Sequence, residues 1–323
     1  MKEHLRHFSI PVFPWGKTPP DLDAIITYAQ YAEKLGFYSV NMPLINTLDA
    51  RSGGAFAHFN NRYTLDALAV LPAIVGATTK IRVAVDGIPL FQLPPFGWAK
   101  YFASLDVLSK GRIIVGACLG FGQEGFDTVG LEQKHRGKIA DEQLEVIPRL
   151  WTEDNVTHEG RFFKLYNVTV DPKPVQKPYP PIWIGGRTAS IPRAARFAEV
   201  LDPPWPSPDE VRTVYIPQLN EASAKWGRKT KMGGWYYACV RENGMSSASI
   251  NDWFGELMAQ EIGVTPAELA IAGSPMECAD KARAYIDAGV EHFVLDLQRH
   301  GMETLESAME QMTVFAESVV PQI

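Results

Sequence analysis

Short apolar runs alternate with amphipathic stretches along nearly the whole chain, and this alternation restricts the fold more than any other feature. The runs are Phe8–Phe13, Tyr38–Met42, Ile81–Ile88, Arg112–Ala117, Ile182–Ile184, Glu199–Leu201, Gly234–Val240 and His292–Leu297. A run that is short and apolar at successive positions suits a strand covered on both faces. Between the runs, Leu22–Leu35, Thr64–Val75, Phe96–Leu108, Arg136–Trp151, Ile191–Ala198, Pro208–Trp226 and Pro275–Ala288 space their apolar residues at helical intervals, and Glu303–Val319 closes the chain. Eight strands and eight helices in 323 residues are the count of a (β/α)8 TIM barrel. The expectation is one barrel domain over residues 1–323, with insertions at about 119–181 and 243–271, where the chain is longer than a helix and turn require. The competing arrangement is a doubly wound open sheet. Its dinucleotide version needs a glycine fingerprint after the first strand, where this chain has Pro14-Trp15-Gly16.

Helix starts carry local punctuation. Ser207-Pro-Asp-Glu210, Thr265-Pro-Ala-Glu268 and Ser274-Pro-Met-Glu277 each place a hydroxyl N-cap, a proline at the first helical position and a glutamate at the third. Such reciprocal capping satisfies amides that would otherwise lack partners, for about 1 kcal/mol per cap.

Composition narrows the partners. A net charge of −6 provides no basic face for a phosphate backbone, which argues against nucleic acid and anionic membranes and for a small-molecule substrate. The three cysteines form no CxxC pair and are too few and too scattered for a disulfide framework, as expected of a cytoplasmic protein. The amino-terminal apolar run is too brief for a signal peptide, and no window approaches about 18 uninterrupted apolar residues. The seven histidines are scattered without HExxH spacing, so no metal is expected, and neither a GxSxG nor a Walker pattern occurs.

In a closed barrel the interior is packed, so reactive groups come from strand ends and the loops after them. That rule nominates Trp15, Asn41–Pro43, Asp86-Gly87, Cys118–Gly120, Gly185–Ser190, Asp202–Trp205, Arg241-Glu242 and Gln298–His300. Asp86 interrupts an apolar run; it either meets a donor, a substrate or water at the barrel mouth, or turns the chain before Gly87. Cys118 either faces a ligand or is a small buried hydrophobe. Ile182-Trp-Ile-Gly-Gly-Arg-Thr-Ala-Ser190 ends a strand in two glycines and opens a helix, either as a phosphate cradle completed by Arg187 or as a tight turn with a solvated arginine. Gly273-Ser274-Pro275 is a second such turn, for which a plain N-cap is sufficient. Trp15, Phe91, Phe121 and Trp205 either line an apolar pocket or pack.

The segment Leu105–Gly130, which contains Ser109-Lys-Gly-Arg-Ile-Ile-Val-Gly-Ala-Cys-Leu-Gly120, resembles the signature around the fourth strand of bacterial luciferase-like oxidoreductases. So do Leu150-Trp-Thr-Glu-Asp154, Glu159-Gly-Arg-Phe-Phe163, Asp171-Pro-Lys-Pro-Val-Gln176 and Pro180-Pro-Ile-Trp-Ile-Gly-Gly186, and Gly273–Val294 is similar to the family's closing helix and strand. The resemblance implies a homodimeric barrel that holds FMN or the deazaflavin F420 at the strand ends and transfers hydride to, or activates oxygen on, a small organic substrate. It further implies that Gly185, Gly186, Arg187, Thr188 and Ser190 cradle the cofactor phosphate and that Cys118 lies near the ring. A non-proline cis peptide is implied between Asp86 and either Val85 or Gly87, with all three beneath the ring. Asp86 and Cys118 are then the catalytic candidates. The chain departs from the family at Leu44-Ile45, where an Asp-His pair commonly serves proton transfer, and at Leu119, where luciferase has a phosphate-binding arginine. The first reading is accordingly an FMN- or F420-dependent oxidoreductase or monooxygenase. Two alternatives stand beside it: a flavin-binding protein of the same fold without turnover, and a cofactor-free barrel lyase or isomerase using Asp86.

Overall fold

A computed structural model of the chain describes residues 4–12, 15–16, 21–44, 63–120, 123–241, 263, 265, 268–297 and 304–323. Eight parallel strands form the centre: β1 (Phe8–Pro11), β2 (Ser39–Pro43), β3 (Arg82–Pro89), β4 (Ile113–Cys118), β5 (Ile182–Gly185), β6 (Val200–Asp202), β7 (Lys231–Val240) and β8 (His292–Asp296). Their hydrogen-bonded order is β6-β5-β4-β3-β2-β1-β8-β7, and β7 returns to β6 through Val200 opposite Lys231 and Leu201 opposite Met232. That last pairing closes the cylinder, so the (β/α)8 barrel rather than the open sheet is the fold.

Helices α1 (Leu22–Leu35), α2 (Ala67–Ala77), α3 (Pro95–Ser109), α4 (Arg136–Thr152), α5 (Ile191–Phe197), α6 (Ile216–Ala224), α7 (Pro275–Ala288) and α8 (Leu305–Val314) follow the strands in turn. The segment before α6 begins at the Ser207–Glu210 capping box and runs through π-helical Val211–Tyr215; α7 begins at the Ser274–Glu277 box. Both boxes are therefore formed as read, and Ser274 acts as a cap. The third, at Thr265, lies largely outside the described residues.

Alternation along each strand separates two cores. Val83, Val85, Val115, Ile184, Leu201, Phe293 and Leu295 point outward into the layer shared with the helices. Ala84, Ile114, Trp183, Val200 and Val294 point inward and fill the cylinder, with Tyr38 and Trp235 packed against them. No helix among the described residues is long and apolar enough to cross a membrane.

Three smaller pairings were not foreseen. Ile271–Gly273 runs parallel to the far end of β7, Trp15–Gly16 pairs antiparallel with Tyr63–Thr64, and Val156–Glu159 forms a hairpin with Lys164–Val168. The hairpin lies in the long β4–β5 connection and is fastened to α4 by Glu142, whose carboxylate accepts from the amides of Phe162 and Phe163 (2.7 Å for Phe163).

Candidate functional site at the carboxyl-terminal rim

The ends of β3 and β4 meet at the rim. Val85 is buried in the outer core, so the next residue, Asp86, faces the mouth of the cylinder, and Val85 can contribute only its backbone there. The expected cis peptide at Asp86 is corrected by the structure: the cis bonds among the described residues are Asp171-Pro172 and Lys177-Pro178. The strand instead changes direction through a register shift against β4 between Val85 and Ile88, with Gly87 at φ 73°. Across the gap, Cys118 Sγ donates to the Gly87 carbonyl at 3.1 Å. Burial pushes the Cys118 thiol up to about 12, against the opposing Gly120 amide, so the thiol keeps its proton at neutral pH.

Asp86 is joined by Asp202, the last residue of β6 and 6% exposed. Burial raises the Asp86 carboxyl to about 6, opposed by the Asn41 amide. Burial raises Asp202 as well, and the Asp86 charge adds to the rise. Two neighbouring carboxyls of like charge do not both ionise readily, so the pair keeps a proton to a higher pH than a free carboxyl does.

A polar chain along the interior face of β1 and β2 orients the third member. Ser39 Oγ lies 2.7 Å from Ser9 Oγ and donates to Asn41 Oδ1 at 2.5 Å. This fixes the Asn41 amide with Nδ2 on the other side, buried and without a close hydrogen bond. Asp202 Oδ1 is buried and equally unpaired. A fourth polar group, Asp296, is the fully buried last residue of β8. Asn41 and Asp202 fell within the nominated strand ends without being assigned roles. Asp296 escaped because it sits inside a run that reads as apolar through Leu297.

The turn after β5 reaches the same rim. Ser190 is buried, its amide donates to the Arg187 carbonyl at 2.8 Å, and its hydroxyl lies 3.3 Å from the Gly185 carbonyl. Gly186 is at φ 117°, and a Cβ there would strike Ser190 Oγ, so the tight turn requires glycine. Thr188 is exposed beside it. Arg187 is half-buried and engaged: Nη1 donates to the carbonyls of Pro204 (3.1 Å) and Trp205 (3.4 Å), and Nη2 pairs with Glu210. It therefore clamps the β5 loop to the β6 loop.

Cys118 and Leu119 lie close against Gly185 and Arg193, with no water-sized space left between them. Arg193 is held by Asp141 at 2.5 Å and the Gly137 carbonyl at 3.2 Å. The sequence reading missed this cation, although it lies three residues past Ser190 on the helix that opens at the rim.

On the β6–β7 side, fully buried Trp205 sits edge-on to Trp235 and Tyr237, with centroids 5.1 and 5.3 Å apart. Phe91 stacks on Phe126 at 3.9 Å and packs under the β4 loop. Leu44 is buried, an apolar side chain at one of the two positions where the resemblance implies an Asp-His pair. Ile45, Phe121, Glu242, Gln298–His300 and the side chain of Trp15 lie outside the described residues, and exposed Arg241 follows β7. Among the described residues, no group of three or more His, Cys, Asp or Glu could hold a metal ion.

The donor set suits a planar heterocycle. Asn41 Nδ2 is a buried donor without a close hydrogen bond, directed at Asp86, and Asp202 Oδ1 is a buried, unpaired group able to donate or accept; the N–H and C=O edge of a flavin or deazaflavin ring could meet both. The glycine turn leaves backbone, rather than side chain, at the place where a phosphate would approach.

A family model described as luciferase-like monooxygenase matches residues 7–245. An FMNH2-dependent dimethylsulfone monooxygenase from Pseudomonas putida is 29% identical over 184 residues, which is 56% of this chain and 47% of that protein. The chain thus spans about half the length of that curated relative. A monooxygenase from Streptomyces bottropensis superimposes with a TM-score of 0.77 at 23% identity, covering 97% of this chain and 98% of that one. An F420-dependent secondary alcohol dehydrogenase, solved with an F420-acetone adduct, gives 0.78 at 18% identity and 98% coverage of both chains. At these identities the two structures speak for the fold alone.

Proposed function

We propose, from the premise that this chain belongs to the luciferase-like monooxygenase family, that it is an oxidoreductase holding FMN or F420 at the carboxyl-terminal rim and acting on a small organic substrate. The observation that carries this reading is the pair of half-buried Asp86 and buried Asp202 beside the Asn41 amide, an acid–base centre opening on the mouth of the barrel. When bound, the cofactor supplies hydride or, as reduced flavin, the capacity to activate oxygen.

The chain's own groups then have separate tasks. Asn41 and Asp202 would hold the edge of the ring. The backbone of Gly185, Gly186 and Thr188, with Ser190 and Arg193, would hold the phosphate, and Val85 and Gly87 would offer backbone to the cofactor. Arg187 positions this cradle through Glu210 instead of meeting the phosphate directly. Asp86 exchanges a proton with substrate, since a carboxyl at about 6 gives and takes protons near neutral pH. Cys118 fixes Gly87 without ionising. Trp205, Trp235 and Tyr237 wall the mouth against water.

The test is absorbance titration with FMN and with F420 in parallel, followed by turnover of Asp86→Ala. Uptake of neither cofactor overturns the assignment and favours a cofactor-free barrel enzyme; full turnover in Asp86→Ala removes Asp86 from the chemistry. A second reading, cofactor binding without turnover, is favoured by Leu44 and Ile45 standing in place of Asp-His. Single-turnover oxidation of the reduced, bound cofactor by an acceptor separates the two. We also propose a homodimer through α3, which leaves Phe96 51% and Leu108 67% exposed beside Val107; a monomeric sedimentation coefficient would refute it.

A further inference from the structure

A cavity of about 400 Å³ opens at the other end of the barrel, lined by Arg82, Ile182 and Glu199, residues at the starts of β3, β5 and β6. Its size falls in the range of small-molecule sites. Lys177, Arg228 and Lys229 add three more cations to its wall. On a chain with 31 basic and 37 acidic residues, this places four cations and a single carboxylate around one space. That carboxylate, Glu199, is engaged by Lys231 at 3.1 Å. Among the described residues, no carboxylate pairs with Arg82, Lys177, Arg228 or Lys229. Lys177 Nζ donates to the Pro174 carbonyl at 3.1 Å, Arg228 makes one long bond of 3.4 Å to the Ala198 carbonyl, and Arg82 lies over the Tyr38 ring at 5.3 Å. The remaining wall combines Gln176 and two prolines with the larger apolar and aromatic side chains of Tyr179, Phe197 and Ile182.

We propose that this amino-terminal cavity is a binding site for an organic phosphomonoester, its phosphate met by Arg82, Arg228 and Lys229 and its apolar body laid against Tyr179 and Phe197. Unpaired cations gathered around a cavity repel one another, and a dianion relieves that repulsion while accepting several charge-assisted hydrogen bonds. The site is distinct from the rim. The base of the cylinder is filled by Tyr38, Trp183 and His292, the imidazole standing edge-on to both rings at 4.4 and 4.5 Å. The assignment stands whatever occupies the other end.

The test is calorimetric titration of the whole protein with phenyl phosphate, inorganic phosphate and benzyl alcohol. Phenyl phosphate is expected to bind saturably and more weakly at higher salt, inorganic phosphate less tightly, and benzyl alcohol not measurably. Arg228→Gln/Lys229→Gln, both exposed, should weaken phenyl phosphate by about tenfold, a change of roughly 1.4 kcal/mol. The variant should leave FMN or F420 uptake as in the parent. Absence of saturable binding overturns the proposal. Unchanged affinity in the double variant overturns it too, by locating the probe elsewhere. Inorganic phosphate binding as tightly as phenyl phosphate would remove the apolar half of the site and with it the phosphomonoester assignment. Arg82→Gln, with the thermal midpoint followed alongside, tests the third cation while monitoring its stacking on Tyr38.

Discussion

Arg187 and Glu210 form an ion pair that joins the loop after β5 to the helix after β6, and the Glu210 carboxylate also closes the capping box by accepting from the Ser207 amide at 2.9 Å. One carboxylate thereby serves two elements. Arg187→Ala should cost about 1–2 kcal/mol in urea unfolding, as expected for losing charge-assisted bonds on a partly exposed pair. It should also weaken cofactor uptake by displacing the glycine turn. Glu210→Gln should weaken uptake in the same direction, since the cradle depends on the clamp; unchanged uptake in Glu210→Gln with a large loss in Arg187→Ala would put the guanidinium on the phosphate.

Asp86 carries a stability penalty that varies with pH. Its folded value near 6 exceeds the ordinary 3.8, so between these values the folded chain holds a proton that the unfolded chain has released. Stability due to this group is therefore greatest below about pH 4, declines as pH rises to about 6, and stays low above it. Asp86→Asn should be more stable than the parent by about 2–3 kcal/mol at pH 8, at roughly 1.4 kcal/mol per unit, and no more stable at pH 4. Denaturant midpoints at the two pH values check this. Equal gains at both would place the cause in packing rather than charge.

Cys118 should be silent toward thiol reagents. With its proton held to about 12, little thiolate is present at pH 8, and labelling of the native protein should be far slower than of the unfolded chain. Cys118→Ser should keep cofactor binding, because a hydroxyl can still donate to the Gly87 carbonyl. Rapid native labelling at this position would restore it as a nucleophile.

Gly116 faces into the cylinder on β4 beside Asp86. A Cβ there would lie 2.5 Å from the Val85 carbonyl oxygen and 3.1 Å from Asp86 Cα, contacts with backbone that no rotamer relieves. Gly116→Ala should lower stability by about 1–3 kcal/mol through overpacking. It should also shift the Asp86 titration, readable by difference infrared spectroscopy of the carboxyl. An alanine accepted without either effect would mean that β3 and β4 separate easily at this level.

The barrel was legible because each strand is covered on both faces and each helix has one covered stripe. The apolar run read at Arg112–Ala117 appears as Ile113–Cys118, and Leu22–Leu35 and Pro275–Ala288 have the bounds expected from their period. Ile271–Gly273 was not legible, being three residues that pair, among the described residues, with the far end of β7. Nor was the π-helical stretch Val211–Tyr215, since its hydrogen-bond slip leaves the apolar spacing nearly unchanged. At the rim, Asp86 could be nominated because a carboxylate inside an apolar run is conspicuous. Its relation to Asp202 could not, because they lie 116 positions apart and only closure of the cylinder brings them into electrostatic contact. The partner of Arg187 was hidden for a similar reason: a solvated arginine, a phosphate ligand and an interloop clamp share one sequence, and only the fold brings Glu210 to the guanidinium.

The stack of Tyr38, Trp183 and His292 makes the cylinder a blind well rather than a pipe. Water and protons can reach the carboxyl pair only from above, along whatever route the substrate takes, so the acidity of that pair changes when the top is covered. A solute arriving from below meets a floor of rings and must act, if it acts, by stiffening the scaffold rather than by entering it.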